Sequence, residues 1–481
     1  MTSTQRVVAA AAASGALYGA TSIAQRTIAI GHAADPRELA IAALVYMLAT
    51  LALFAIYVAI VRMAISDSVR GRASAVALAV PLVFNAALIV TPASLSIDTL
   101  TYVAHGYQLQ SGQNPYAAAV RALAPTPRGR ELTRHGWIPV HGVSPYGPLW
   151  TGIEAAAAGV SSDVVTSTRA IKTLVAASSI GSAVLIWLIL GTAAPRLQLA
   201  GTLLYAWNPV VVMEFAAEGH NDALMIFFVL LSLFLWTRRR PAAGIVAVAL
   251  GALVKIAAAL PAPLEIVYAW RTYPNRRRLI VAVLAGTTAA VATAVVLFAP
   301  VWIGAPTFDG LRTHSRPAIL PSTQGVLYWY LTRSHSEAAS ARLISLASSA
   351  LFIAVLAIAA SRVTDKTTLF KACGRVAIAY VLLAPGYWPW YAALPIALLA
   401  LAPDRMAVWS IVAISLAARL AAPIDELRLG GFMDWETEVF AATIVGVWLP
   451  AAAIGIAALF RRRPVTLVGL EEWYGPVVAR E

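Results

Sequence analysis

A single cysteine, Cys373, leaves no material for a disulfide framework or a thiolate metal cluster. Charge is the next shortage. Only 12% of the 481 residues are Asp, Glu, Lys or Arg, about half of what a soluble domain carries, roughly 25%. Acidic residues are fewer than basic ones, 23 against 36, for a formal net charge of +13. Such an excess can mark a nucleic-acid binder, but here the basic residues fall at the ends of apolar segments rather than along one surface, and that class is excluded. No internal repeat is visible, so the inverted-repeat signature of many transporters is missing. What remains is overwhelmingly apolar: 60% hydrophobic residues and a mean hydropathy of +0.74. A core of that composition has one reasonable solvent, the lipid bilayer.

Apolar runs long enough for helical spans occur at 7–30, 39–61, 73–92, 168–193, 197–216, 220–236, 242–255, 258–270, 279–303, 339–360, 368–385, 388–402, 406–422 and 438–460. The first run is too long for the core of a signal peptide and lacks a clear cleavage context, so it reads as a span. The pair 242–255 and 258–270 is split because Pro261 and Pro263 disfavour a continuous helix and because both flanks, Arg238 to Arg240 and Arg276 to Arg278, are basic. The expectation is an all-α integral membrane bundle, a single unit over 1–481, of about fourteen spans with both termini inside. Most Lys and Arg then lie inside and most acids outside, as the positive-inside rule requires. Two outer segments are long: 93–167, with an apolar stretch at 149–160 read as a surface helix, and 304–337. Loops of that length are usually functional or disordered, and their Trp and Tyr content favours interfacial anchoring.

Four constellations can carry chemistry. Asp98, in Ser96-Ile97-Asp98-Thr99-Leu100-Thr101-Tyr102, stands at the outer end of the third run, where a carboxylate can act as a general base toward a hydroxyl; the plain alternative is a helix N-cap. His105, Asn114, Tyr116 and Tyr146 follow in the same loop. Next comes Asn208-Pro209, then Glu214, Glu218 and Gly219-His220-Asn221-Asp222. Ionisable groups at membrane depth usually have a role; here caps, or loose metal ligands, are the alternatives. Lys255 lies between apolar runs with no acid beside it in sequence, and Arg312, His314 and Arg316 lie in the second outer segment. These cations suit a lipid phosphate, although interfacial snorkelling is the plainer reading of the arginines. Last is Pro385-Gly386-Tyr387-Trp388-Pro389-Trp390-Tyr391, either an aromatic belt or a wall on which sugars stack.

In this order, about residues 94 to 400, these motifs resemble the GT-C superfamily of polyprenyl-phosphate-sugar-dependent glycosyltransferases. Asp98 and Tyr102, Asn114-Pro115-Tyr116 and Tyr146-Gly147-Pro148-Leu149 are similar to the first outer loop of its mannosyltransferases. Asn208-Pro209, His220-Asn221-Asp222 and Trp388-Pro389-Trp390-Tyr391 are most similar to the bacterial polyprenol-phosphate-mannose-dependent α-1,6-mannosyltransferases. The stretch 117–143 is longer and more basic than that pattern, and 304–337 carries no motif of it.

The resemblance implies a GT-C-type bundle in the bacterial plasma membrane with an extracytoplasmic site. It further implies a polyprenyl-phosphate sugar donor, inversion at the anomeric carbon and Asp98 as base. Lys255, Arg312, His314 and Arg316 are then expected at the donor phosphate. Tyr102, His105, Asn114, Tyr116, Tyr146, Glu218, His220, Asn221, Asp222, Trp388, Trp390 and Tyr391 are expected at sugar or acceptor. A phosphate leaving group needs no general acid, so one carboxylate suffices where glycoside hydrolysis uses two. The expected partners are the lipid-linked donor, an envelope glycan or glycolipid and the bilayer, with no nucleic acid. No cofactor is expected; a divalent metal is the minor alternative. The rival functions are a flippase of lipid-linked saccharides, which would place polar groups at the membrane midplane, and a non-catalytic scaffold.

Overall fold

A computed structural model describes residues 1–29, 35–93, 95–429 and 431–460, and no strand occurs among them. The expected inner C-terminal segment after 460 lies outside the described residues. Three long helices come first: α1 (Ser3–Ala29), α2 (Pro36–Ile65) and α3 (Arg72–Ile89). The segment 93–167 contains α4 (Asp98–Gln110), α5 (Pro127–Arg134) and α6 (Pro148–Val160), each of the last two opened by a proline, which is suited to the first helical turn. α7 (Val164–Ala193) follows, capped by Asp163, whose carboxylate accepts from the Thr166 N–H.

The run expected at 197–216 is not one helix. α8 (Gln198–Ala206) and α9 (Pro209–Val212) meet at a bend of 50°, and α9 runs into a π turn at Met213–Ala217. Asn208-Pro209 explains the bend, because proline removes an amide donor and disfavours helix in the residue before it. Next come α10 (Asp222–Thr237), α11 (Pro241–Ala252) and α12 (Ala262–Thr272), the last two separated at the Lys255 turn where Pro261 and Pro263 predict a break. α13 (Arg276–Phe298) leads to the segment 304–337 with α14 (Asp309–His314) and α15 (Thr323–Leu331). The chain ends with α16 (Glu337–Ser361), α17 (Lys366–Leu383), α18 (Ala393–Leu399), α19 (Arg405–Ala421), α20 (Ile424–Leu429), α21 (Trp435–Thr443) and α22 (Leu449–Phe460).

By length and composition, eight helical stretches among the described residues suit a membrane crossing, nine if the bent α8–α9 pair is one span. This corrects the sequence expectation of about fourteen. The difference lies in short apolar helices. α10 and α11 have 16 and 12 residues, below the roughly 20 that cross a hydrocarbon layer unaided. α17 has 18 residues but carries Lys371 and Arg375. An apolar run marks burial, and protein neighbours bury it as well as lipid does: α10 packs on α7, α11 and α18.

The interior also takes in polar groups, several with partners that make their burial tolerable. Lys172 of α7 is fully buried and donates to the Leu88 carbonyl at 3.0 Å and to the Thr91 carbonyl, closing the end of α3. Ser232 donates to Glu265 at 2.8 Å. Arg419 of α19 pairs with Glu214 of the π turn.

Two helices of the 93–167 segment, α4 and α6, pack closely enough to exclude side chains. A Cβ on Gly106 would lie 2.3 Å from the Glu154 carbonyl oxygen and 2.6 Å from the Ala158 Cβ, whereas one on Gly152 would meet nothing within 4 Å. Because the obstruction is backbone, Gly106→Ala is expected to cost about 1–3 kcal/mol. Thermal unfolding in detergent should show a clear loss for Gly106→Ala and little change for Gly152→Ala; equal behaviour would contradict this packing.

Candidate functional site

Asp98 is the first residue of α4, yet it does not cap it. The N-cap position is Ile97, which has no side-chain cap bond to give. The Asp98 carboxylate is 14% exposed and lies 4.0 Å from His220 Nε2. Ser96 Oγ accepts from the Asp98 backbone N–H at 3.2 Å and lies 3.0 Å from His220 Nε2. His220 is fully buried. Its Nδ1 faces the Glu214 carbonyl oxygen at 3.1 Å and the Glu214 carboxylate at 3.2 Å. Both are acceptors, so Nδ1 carries a proton. Burial works against a charged imidazole here, but the hydrogen bond and charge of Glu214, with Asp98 and Glu218, outweigh it and raise the His220 pKa. Trp390 lies flat on the ring, with centroids 3.8 Å apart and planes 19° apart, and Trp388 stacks on Trp390 at 5.5 Å.

The turn that delivers His220 depends on Gly219, whose φ is +79°. A side chain there would be strained, and its Cβ would come within 2.8 Å of Thr99 Oγ1 and 2.9 Å of Lys172 Cγ. Thr99 donates to the Glu218 carbonyl, and the Glu218 carboxylate accepts from the Leu95 N–H at 3.2 Å, so this turn is tied to the start of α4. Asn221 is the N-cap residue of α10 but makes no side-chain cap bond. Its amide is fully buried with neither Oδ1 nor Nδ2 bonded. The capping alternative therefore fails for both Asp98 and Asn221.

Asp222 and Lys255 form an ion pair at 2.8 Å, and the Lys255 ammonium also sits over the Tyr391 ring at 4.7 Å. The 93–167 segment is stitched to that turn, since the N–H groups of Gly147 and Leu149 donate to the Val254 and Leu253 carbonyls at 3.1 and 3.0 Å. Tyr146 thereby reaches Tyr102, ring centroids 5.3 Å apart, and Tyr102 meets Trp150 at 5.0 Å. His141, which is within 3.4 Å of Thr101 Oγ1, feels Asp98 and His314 together; burial holds its pKa down against the pull of Asp98.

Other expected site residues are spent inside the loop. Asn114 donates to the Val301 carbonyl at 2.8 Å and accepts from the Tyr116 N–H; the Tyr116 hydroxyl donates to the Tyr146 carbonyl at 2.9 Å. His105 pairs with Glu154 at 3.2 Å in the contact between α4 and α6, where burial pushes the Glu154 carboxyl up. Arg312 is half exposed and pairs with Asp309 at 2.8 Å, His314 donates to the Gly310 carbonyl at 2.8 Å, and Arg316 is exposed. Among the described residues no three His, Cys, Asp or Glu side chains converge as a metal-ligand set.

Sequence reasoning missed Arg419, Glu154 and Lys172. Arg419 and Lys172 carried a signal, an ionisable residue inside an apolar run. Glu154 sits in a run read only as a surface helix.

Breaking the Asp222–Lys255 pair should be costly, because Asp222 would stay buried without a cation. Lys255→Met is expected to destabilise by about 3 kcal/mol, and Asp222→Asn added to it should recover much of that. Thermal unfolding of the two variants checks this; an unchanged single variant would contradict the pairing.

A sequence model of the alpha-(1->6)-mannopyranosyltransferase N-terminal domain matches residues 1–272, which contain Asp98, the π turn, His220 and Lys255. The chain is also 31% identical over 193 residues to alpha-(1->6)-mannopyranosyltransferase A of Corynebacterium glutamicum. That alignment covers 39% of this chain and 36% of that protein, little more than a third of the relative's length. With the family match extending over more than half of its residues, this multi-helix membrane chain belongs to the alpha-(1->6)-mannopyranosyltransferase family.

Proposed function

We propose that the chain transfers one mannosyl residue from a polyprenyl-phosphate donor to an envelope glycan or glycolipid, with inversion from a β-phosphate to an α-mannoside. It does so as a single unit in the bacterial plasma membrane, with both termini in the cytoplasm and the segments 93–167 and 304–337 outside. The observation that carries the reading is the setting of Asp98: a carboxylate left partly accessible, not consumed as a cap, beside a polar nest otherwise closed to solvent.

The steps follow from these groups. Asp98 accepts the proton of the acceptor hydroxyl as that oxygen forms its bond to the anomeric carbon. The bond from that carbon to the phosphate oxygen breaks, and its electron pair leaves with the polyprenyl phosphate. Preorganised positive charge lowers the barrier to that departure. Lys255 is one cation of this scheme, with phosphate competing against Asp222 for its ammonium; Arg312, His314 and Arg316 would receive the phosphate from the outer side. The unpaired Asn221 amide offers one donor and one acceptor for sugar hydroxyls, because a buried amide without partners is costly until a ligand or water satisfies it. Tyr102, Tyr146, Trp388, Trp390 and Tyr391 supply aromatic surface, with Glu218 and Asp222 at its edge. His105, Asn114 and Tyr116 hold the wall behind it. The scheme needs no cofactor.

Transfer of radiolabelled mannose from polyprenyl-phosphate-mannose to an envelope glycolipid extract tests the proposal, using purified protein with and without EDTA. The wild type should transfer in both lanes. Asp98→Asn should lower the rate by about 10²–10⁴-fold at unchanged thermal stability. Full activity in that variant would remove Asp98 from the mechanism, loss in EDTA would bring in a divalent metal, and trapping of two access states without transfer would favour a flippase.

A further inference from the structure

Arg419, Glu214, His220 and Asp98 come from four separate parts of the chain: α19, the π turn, the Gly219 turn and the start of α4. Their charges alternate. Arg419 pairs with Glu214, Glu214 lies 3.2 Å from His220 Nδ1, and His220 Nε2 lies 4.0 Å from Asp98. Arg419, Glu214 and His220 are all buried, so none of them contributes to an exposed charged patch. We propose that Arg419, Glu214 and His220 are positioning residues, an alternating-charge ladder that holds the Asp98 carboxylate in place for the transfer proposed above, on which this inference rests.

The stereochemistry of the imidazole supports the ladder. Glu214 fixes it twice, through its carbonyl and its carboxylate, so that Nε2 can only point toward Ser96 and Asp98. Trp390 covers one face of the ring and blocks its rotation. Ser96 Oγ bridges His220 Nε2 and the Asp98 backbone, so that a change in the ring is passed to the first turn of α4. A π turn adds one residue to a helical turn, and such turns often mark functional sites; this one carries Glu214. Arg419 keeps Glu214 from being an unpaired buried anion.

The other charged groups around the ladder are accounted for. Glu218 adds negative charge from the same turn as His220. Lys172, behind Gly219, faces Glu218 and is held by the Leu88 and Thr91 carbonyls. His141 faces Asp98 from the outer loop. With His220 raised above its ordinary value, its rung of the ladder is charged below the folded-state value of that imidazole and is lost as pH rises through it. The transfer rate should therefore fall on the alkaline side.

The test combines pH–rate profiles with histidine NMR on ¹⁵N-histidine protein in lipid nanodiscs, where the His220 signal among seven histidines is identified by its loss in His220→Gln. In the wild type the alkaline fall in transfer from polyprenyl-phosphate-mannose should track the His220 titration. Glu214→Gln should move both to lower pH by about one unit or more. His220→Gln should abolish the alkaline fall and lower kcat about tenfold or more, with KM for the donor little changed. Asp98→Asn should shift the His220 titration downward in the NMR experiment, which does not depend on turnover. An Asp98→Asn shift of zero, or an alkaline fall that persists in His220→Gln, would overturn the ladder. Coupling between 98 and 220 without transfer from any lipid-linked sugar would instead overturn the transferase reading and leave the ladder standing.

Discussion

A charge removed from water must be met by another charge or by several dipoles, and the interior of this protein is arranged around that requirement. Arg419 and Glu214, Lys255 and Asp222, and His105 and Glu154 are each joined across different elements, 205, 33 and 49 residues apart. In a water-soluble domain such pairs would add little. Here each unpaired member would be left in an apolar bundle, so the pairs restrict which helices can lie side by side. α19 must reach the π turn, and the Lys255 turn must reach the start of α10.

The site is what those restrictions leave over. Bending at Asn208-Pro209 and the extra residue of the π turn end a helix early, and Gly219 reverses the chain just beyond it. Two helix starts then meet, α4 with Asp98 and α10 with Asn221 and Asp222, and neither Asp98 nor Asn221 is used as a cap. Free helix N-termini favour negative charge, which suits both a carboxylate base and a phosphate. The 93–167 segment is held against the Lys255 turn by two backbone hydrogen bonds, so the base and the cation of the proposed mechanism are set by one scaffold. Aromatic rings close the arrangement, Trp390 on His220 and Tyr391 under Lys255.

Much of this was legible in the sequence. Composition alone required a helical membrane protein, because 60% hydrophobic residues with 12% charge cannot fold around one water-exposed surface. The split before Pro261 and the candidacy of Asp98, His220 and Lys255 could be read from residue types that are costly where they stand, whereas the break at Asn208-Pro209 lies inside a run, 197–216, that reads as one span. Span number could not be read that way. Hydropathy records that a segment such as α10 avoids water, and burial between α7, α11 and α18 satisfies it as fully as lipid does. Nor could Asn114 and Tyr116 be separated from Asn221, since all three are polar or amphipathic residues in or beside turns, and only their hydrogen bonds distinguish a loop staple from a free amide.

The sequence by itself determined the solvent, the helical class, the helix break before Pro261 and part of the list of ionisable groups, because each follows from local chemistry and the cost of burying it. The tertiary structure decided the pairings. That Lys255 belongs to Asp222, that Arg419 from near the end of the chain neutralises Glu214, and that His220 stands between Glu214 and Asp98 are facts about distance between segments up to 205 residues apart. Coulombic and hydrogen-bond energies depend on such distances, and a sequence carries the charges without the separations.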